Sequence, residues 1–141
     1  MFVLDSDHLS LLQREDIVNP TLEARLLAHD ETELWVSIIS FHEQILGWHT
    51  YLSRAQTPDQ LVLGYSRFES LFVAFSDYQV LSFDDSAAEV YSDLRKQRIR
   101  VGTMDLRIAA IVISNGMTLL TRNTVDFERI PNLAFEDWTS S

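Results

Sequence analysis

The sequence predicts a three-layer α/β fold, with a central, mostly parallel sheet of about five short strands and helices on both faces. Three observations carry that prediction. Short apolar runs with β propensity, at residues 2–4, 34–36, 80–81 and 117–120, alternate with stretches at helical spacing, and strands separated by helices form parallel sheets through crossovers. Residues 108–113 are apolar nearly all round, the mark of a helix enclosed by its neighbours. The first run stops abruptly at Asp5, Ser6 and Asp7, which reads as a central strand ending in charge. In an open α/β sheet the carboxyl ends of the strands are where ligands bind.

The elements follow in order. After the first strand, Ser6 or Asp7 is placed to cap a short helix through Arg14, and Pro20 opens a second through about His29. Leu34, Trp35 and Val36 form the second strand. The next helix is expected from about Ser40 to Gln56, with Phe41, Ile45, Trp48 and Leu52 along one face. Pro58 begins a fourth helix to about Phe75, rich in Leu and Phe. Val80 and Leu81 make a short third strand, and Asp84 caps a fifth helix whose stripe is Ala87, Ala88, Tyr91 and Leu94. Thr103 starts the buried sixth helix. Residues 117–120 give the fourth strand, and residues 133–135 suit a fifth at the edge.

Composition bounds the rest. At 141 residues, 46% of them hydrophobic, the chain is read as one domain, 1–141, with a real core. It has no cysteine, which excludes disulfides, thiolate metal sites and cysteine nucleophiles. No apolar run approaches membrane-spanning length and no leader pattern precedes the first strand, so a cytoplasmic protein with no membrane partner is expected. The net charge of −10 opposes a nucleic-acid partner taken alone. However, seven of the 11 basic residues lie between Arg95 and Arg129, which leaves one region locally positive.

The chemistry resides in acidic residues. On a helix starting near Thr103, Asp105 shares a face with Ile108, Ala109 and Val112, so a carboxylate points along the apolar side. Its local rival is a first-turn acid complementing the helix dipole, worth about 0.3 to 1 kcal/mol. Glu43 falls three residues after Ser40 and fits a capping box, but its closeness to the second strand also sets it above the same edge as Asp5. Asp126 follows the fourth strand in a loop with Thr121 and Asn123, where an Asx turn is the plain alternative. Two bare charges 4 Å apart repel by about 1 kcal/mol in water and about 4 at an effective dielectric of 20, so gathering these carboxylates calls for a cation. Hard oxygen ligands suit Mg²⁺ or Mn²⁺, and one or two such ions suit phosphodiester hydrolysis.

Four segments together resemble the PIN domain, and more narrowly the VapC toxins of type II toxin–antitoxin systems. They are Val3-Leu4-Asp5-Ser6-Asp7; Val36-Ser37-Ile38-Ile39-Ser40 with Glu43; Asp105-Leu106-Arg107-Ile108-Ala109-Ala110; and Leu120-Thr121-Arg122-Asn123 with Asp126-Phe127. The resemblance covers nearly the whole chain. It implies an acidic quartet of Asp5, Glu43, Asp105 and Asp126, with Asp5 and Asp105 as main ligands of Mg²⁺ or Mn²⁺. Asp7, Thr121 and Asn123 fall around that quartet. It further implies an endoribonuclease acting through metal-activated water, a homodimer, and a cognate VapB-like antitoxin. RNA would then run along the Arg95 to Arg129 region or the dimer cleft.

Two other readings stay open in the sequence. A strand ending in Asp5 and Asp7, with Asp84 and Asp85 after the third strand, resembles the haloacid dehalogenase phosphatases, in which the first aspartate is a nucleophile. That family needs a lysine between the two motifs, and the sole lysine, Lys96, lies beyond both. Alternatively, the carboxylates are caps in a catalytically silent PIN-like binding module. Histidine chemistry finds less support, because the second histidine of a zinc-protease motif beginning at His42 falls on Leu46. His8, three residues past Asp5, is placed to approach the pocket rim.

Overall fold

The computed structural model describes residues 1–14 and 18–140. Five strands form one sheet: β1 (Phe2–Leu4), β2 (Leu34–Ser37), β3 (Val80–Leu81), β4 (Thr118–Leu120) and β5 (Ala134–Glu136), in the order β3-β2-β1-β4-β5. Every pairing is parallel, with Leu4 opposite both Val36 and Leu120, and Leu120 opposite Glu136. β1 is therefore central, as the abrupt apolar-to-acidic switch at its end requires.

Strand side chains alternate between faces and so feed two cores. Val3 and Leu119 join one core with Ala87 and Leu94 of α5 (Asp85–Lys96) and with Leu106 and Ile108 of α6 (Thr103–Ser114). Leu4, Val36 and Leu120 join the other with Leu9 of α1 (Ser6–Gln13), Leu22 of α2 (Pro20–Leu27) and Leu71 and Phe75 of α4 (Pro58–Asp77). The helix α3 (Ile38–Ser53) gives Ile39 to the first core and Phe41, Ile45 and Trp48 to the second. The continuous apolar run of α6 has the predicted consequence, since Ile108 through Val112 are all 0% exposed. Burying an Ile or Val side chain stabilises by about 1.5 to 3 kcal/mol, so Ile108, Ile111 and Val112 anchor this helix in its layer.

Several boundaries differ from the sequence reading, for physical reasons. The cap of α1 is Asp5, whose Oδ1 accepts the Ser6 N–H at 2.8 Å, rather than Ser6 or Asp7. Helix α3 starts two residues earlier than Ser40, because Ser37 at the end of β2 caps it and accepts the Ser40 N–H at 3.3 Å. Ser40 lies inside the helix, so the capping box proposed for Ser40 and Glu43 does not form and Glu43 is released from that role. Such a box forms instead at Thr57 and Gln60, ahead of α4. Asp126, read as a loop residue, lies in the short helix α7 (Thr124–Phe127). Among the described residues, no helix is long and apolar enough to cross a membrane.

Candidate active site

The carboxyl edge of β1 and β4 collects the acidic residues. Asp5 continues the strand ladder through its N–H, which donates to the Leu120 carbonyl at 2.8 Å, while its side chain caps α1. It is only 6% exposed. Its Oδ2 accepts a hydrogen bond from the Thr121 hydroxyl at 2.8 Å. Burial above all, with the charges of Asp7 and Asp105 adding, pushes its pKa from 3.8 up to about 7, against the pull of the Thr121 and Ser6 hydrogen bonds.

Glu43 comes in from α3 because Ser37 sets the start of that helix. Its Oε1 accepts from the Ser6 hydroxyl at 3.0 Å, and the Ser6 and Ser40 oxygens are 3.2 Å apart. Asp105 lies in the first turn of α6, which Gly102 opens without a side-chain cap. It is half-buried, and its carboxyl is held above the usual range, by burial first and then by the charges of Glu43, Asp126 and Asp7. Asn123 links α6 to α7, with Nδ2 at 3.1 Å from Asp126 Oδ2 and 3.4 Å from Asp105 Oδ2. The Arg129 guanidinium is 3.8 Å from Asp126 and itself exposed.

Asp7 stands behind this edge. Its Oδ2 accepts the Arg122 N–H at 2.9 Å and lies 3.4 Å from the Thr121 hydroxyl, while Oδ1 meets His8 Nδ1 at 2.8 Å. The structure thus brings together Asp5, Asp7, Glu43, Asp105 and Asp126, with Thr121 and Asn123 between them, whereas Asp84 and Asp85 lie apart at the start of α5. His8 does not reach the rim; it is 0% exposed and faces the C-terminal segment. Ser6, expected only as a cap, instead orients Glu43, a role that its position between two aspartates did not signal.

Chemically, the cluster is a set of hard oxygen donors, in which burial and then the neighbouring charges hold the Asp5 and Asp105 carboxyls above their usual range. Among the described residues, no three His, Cys, Asp or Glu side chains are drawn tightly enough together to hold a metal ion as they stand. Hydroxyl and amide donors from Ser6, Thr121 and Asn123 sit between the carboxylates instead. That donor chemistry fits a hard divalent cation, which would offset the repulsion that burial magnifies.

Known proteins resemble this chain in sequence and in fold. The family model described as PIN domain matches residues 2–133. The chain is 28% identical to the tRNA(fMet)-specific endonuclease VapC of Shigella flexneri over 114 residues, covering 78% of this chain and 79% of that one. It is 52% identical to Ribonuclease VapC1 of Rickettsia felis over 46 residues, 33% of this chain and 34% of that relative's length. A second Rickettsia felis relative, Ribonuclease VapC2, is matched over 54% of its length, so these two are spanned only in part. The fold is similar to that in the crystal structure of DNA-bound VapBC from Salmonella typhimurium, at TM-score 0.73 and 25% identity over 97% of each chain.

Proposed function

Since the chain belongs to the PIN-domain family, we propose that it is a metal-dependent endoribonuclease, the toxin of a type II toxin–antitoxin pair acting on RNA in the cytoplasm. The observation that carries this reading is the convergence of Asp5, Glu43, Asp105 and Asp126 from four elements onto one edge, where Asp5 has its pKa pushed up to about 7. Buried carboxylates of like charge are costly unless the site is built to bind something positive.

In this reading Asp5, Asp105, Glu43 and Asp126 hold Mg²⁺ or Mn²⁺, directly or through water. A divalent ion bound there supplies an activated water and neutralises charge developing on the phosphoryl oxygens. The chain's own groups orient the carboxylates: Thr121 donates to Asp5, Ser6 to Glu43, and Asn123 to Asp126. Hydrolysis adds water across one P–O bond of the RNA backbone and frees a hydroxyl end and a phosphate end. Exposed Arg122 and Arg129 flank the edge, in keeping with an RNA path through the basic region despite the overall acidic charge.

The Shigella and Rickettsia relatives are named as an endonuclease and ribonucleases, and the Salmonella neighbour is a VapBC complex, which supports an RNA substrate and a VapB-like antitoxin here. A partner surface is available on α4, where Val62, Tyr65, Phe72 and Val73 are each more than half exposed. An antitoxin or a second copy of the chain in a homodimer would cover such a face. The phosphatase alternative still wants its lysine between the two acidic motifs, and its Asp84 caps α5 through the Ala87 N–H at 3.0 Å.

The test is cleavage of total RNA by the purified protein with Mg²⁺, with Mn²⁺ and with EDTA, beside Asp5→Asn prepared identically. Metal-dependent cleavage that vanishes in the variant is the expected result. A folded, antitoxin-free protein that cuts nothing under any metal would overturn the nuclease reading, and equal cleavage by both proteins would expose a contaminant.

A further inference from the structure

His8 is buried completely, yet both of its ring nitrogens are used. Nε2 accepts the main-chain N–H of Trp138 at 3.2 Å, which leaves that nitrogen unprotonated and puts the ring proton on Nδ1. Nδ1–H then donates to Asp7 Oδ1 at 2.8 Å. The charged groups facing the ring are Asp7 and Asp137, the latter with Oδ1 3.7 Å from Nε2.

The support on which His8 leans is firm. Trp138 is 4% exposed, packs on Phe2 at 4.8 Å between ring centres and stacks on His29 at 4.9 Å. Arg25 donates to the Asp137 carbonyl at 2.9 Å and Asn19 to that of Thr139 at 3.3 Å, tying the same segment to α2. On its other side, Asp7 Oδ2 grips the Arg122 N–H at 2.9 Å, in the loop whose Thr121 and Asn123 hold Asp5, Asp105 and Asp126.

We propose that His8 is a positioning residue: through its Nδ1–H it fixes Asp7, and through Asp7 it holds the loop of residues 121–123 and the carboxylates that this loop orients for a divalent cation. The inference rests on reading the acidic edge as a metal site. Groups behind metal ligands commonly set affinity by 10 to 100-fold. Here the device extends from the metal pocket to the C-terminal segment, and its two halves are separable, one nitrogen serving stability and the other serving the site.

Two substitutions separate them. His8→Gln places a carbonyl oxygen near the Nε2 position for the Trp138 N–H and has no donor at the Nδ1 position. His8→Asn keeps a donor near Asp7 and abandons Trp138. Each full-length protein is melted in EDTA and titrated with Mn²⁺ by calorimetry. The expected pattern is crossed: His8→Gln melts near the wild type but binds Mn²⁺ about 10-fold more weakly, whereas His8→Asn melts several degrees lower and binds within about twofold of wild type. Mn²⁺ affinity that follows the melting temperature in both variants, or changes in neither, would overturn the proposal and leave the metal reading intact. A wild type that binds no Mn²⁺ would overturn the metal reading and this inference with it. Independently of any variant, ¹⁵N NMR of the wild type should show the His8 proton on Nδ1, and the opposite tautomer would refute the arrangement.

Discussion

Thr121 and Asp5 lie 116 positions apart in the chain, and the Thr121 hydroxyl donates to Asp5 Oδ2 at 2.8 Å. Register places them there: Leu4 pairs with Leu120, so the residues that follow the two central strands emerge side by side. Thr121 Oγ also accepts the Asn123 N–H at 3.0 Å, which fixes the hydroxyl and commits its single proton to the carboxylate. The bond favours the charged form of Asp5 against its burial, and so connects loop geometry to the charge at the acidic edge.

Thr121→Val should therefore weaken Mn²⁺ binding at pH 7, because the Asp5 carboxyl loses a donor and holds its proton to higher pH. The cost in stability is about 1 to 3 kcal/mol, since the Asn123 N–H and the Asp5 oxygen both lose a buried partner. Calorimetric Mn²⁺ titration and urea unfolding in EDTA measure the two effects, and an unchanged Mn²⁺ affinity would separate Thr121 from the site.

The raised pKa of Asp5 fixes the sign of a pH dependence. The folded protein keeps the Asp5 proton up to about 7, whereas the unfolded chain releases it near 3.8. Between those values the native state binds more protons, so metal-free stability falls as pH rises through the window and is greatest at its acid end. At about 1.4 kcal/mol per pKa unit the upper limit of this contribution is about 4 kcal/mol. Melting in EDTA at pH 5 and pH 8 should show the wild type losing stability at pH 8 relative to Asp5→Asn. Parallel behaviour of the two proteins would contradict it.

The fold was legible in the sequence because period-2 and period-3.6 patterns are written locally. The run at residues 108–113 announced a buried helix, and the end of β1 announced the edge at which the acidic residues gather. Helix starts were less legible: Ser37 and Ser40 are both good caps by type, and only the extent of β2 decides that Ser37 is used. The acidic residues could be picked out one by one, since each is a carboxylate close to a strand end or helix start. Their links could not, because the Ser6 bond to Glu43 and the Asn123 bridge depend on rotamers and on pairings across the sheet. His8 was the least legible. Its acceptor role is toward the main chain of Trp138, 130 positions away, which no side-chain pattern encodes.

Gly64 and Gly47 make a paired prediction about the α3–α4 contact. A Cβ at Gly64 would drive into the Leu52 side chain and come to 3.2 Å from Tyr51 Cδ1, whereas at Gly47 nothing lies within 4 Å. Alanine normally gains about 0.5 to 1 kcal/mol over glycine within a helix. Gly47→Ala should show that gain, and Gly64→Ala should instead lose about 1 to 3 kcal/mol through overpacking. Urea midpoints compare them directly, and equal gains would mean that the two helices pack less closely than the structure shows.

Asp105→Asn distinguishes a working site from a helix dipole cap. Asp105 gives no side-chain bond to the start of α6, and burial first, then its neighbours Glu43, Asp126 and Asp7, raise its pKa, so its charge is opposed by its surroundings. Replacing that charge by a neutral amide relieves repulsion with Glu43 first and preserves shape. Stability of the metal-free protein at pH 8 should therefore stay level or rise by up to about 1 kcal/mol, while RNA cleavage and Mn²⁺ binding are lost. A dipole cap would behave in the opposite way: stability would fall by about 0.3 to 1 kcal/mol and metal binding would be untouched. Urea unfolding in EDTA and Mn²⁺ titration, run on the same two preparations, read both quantities. Lost stability together with retained Mn²⁺ binding would remove Asp105 from the acidic site and leave it a structural residue of α6.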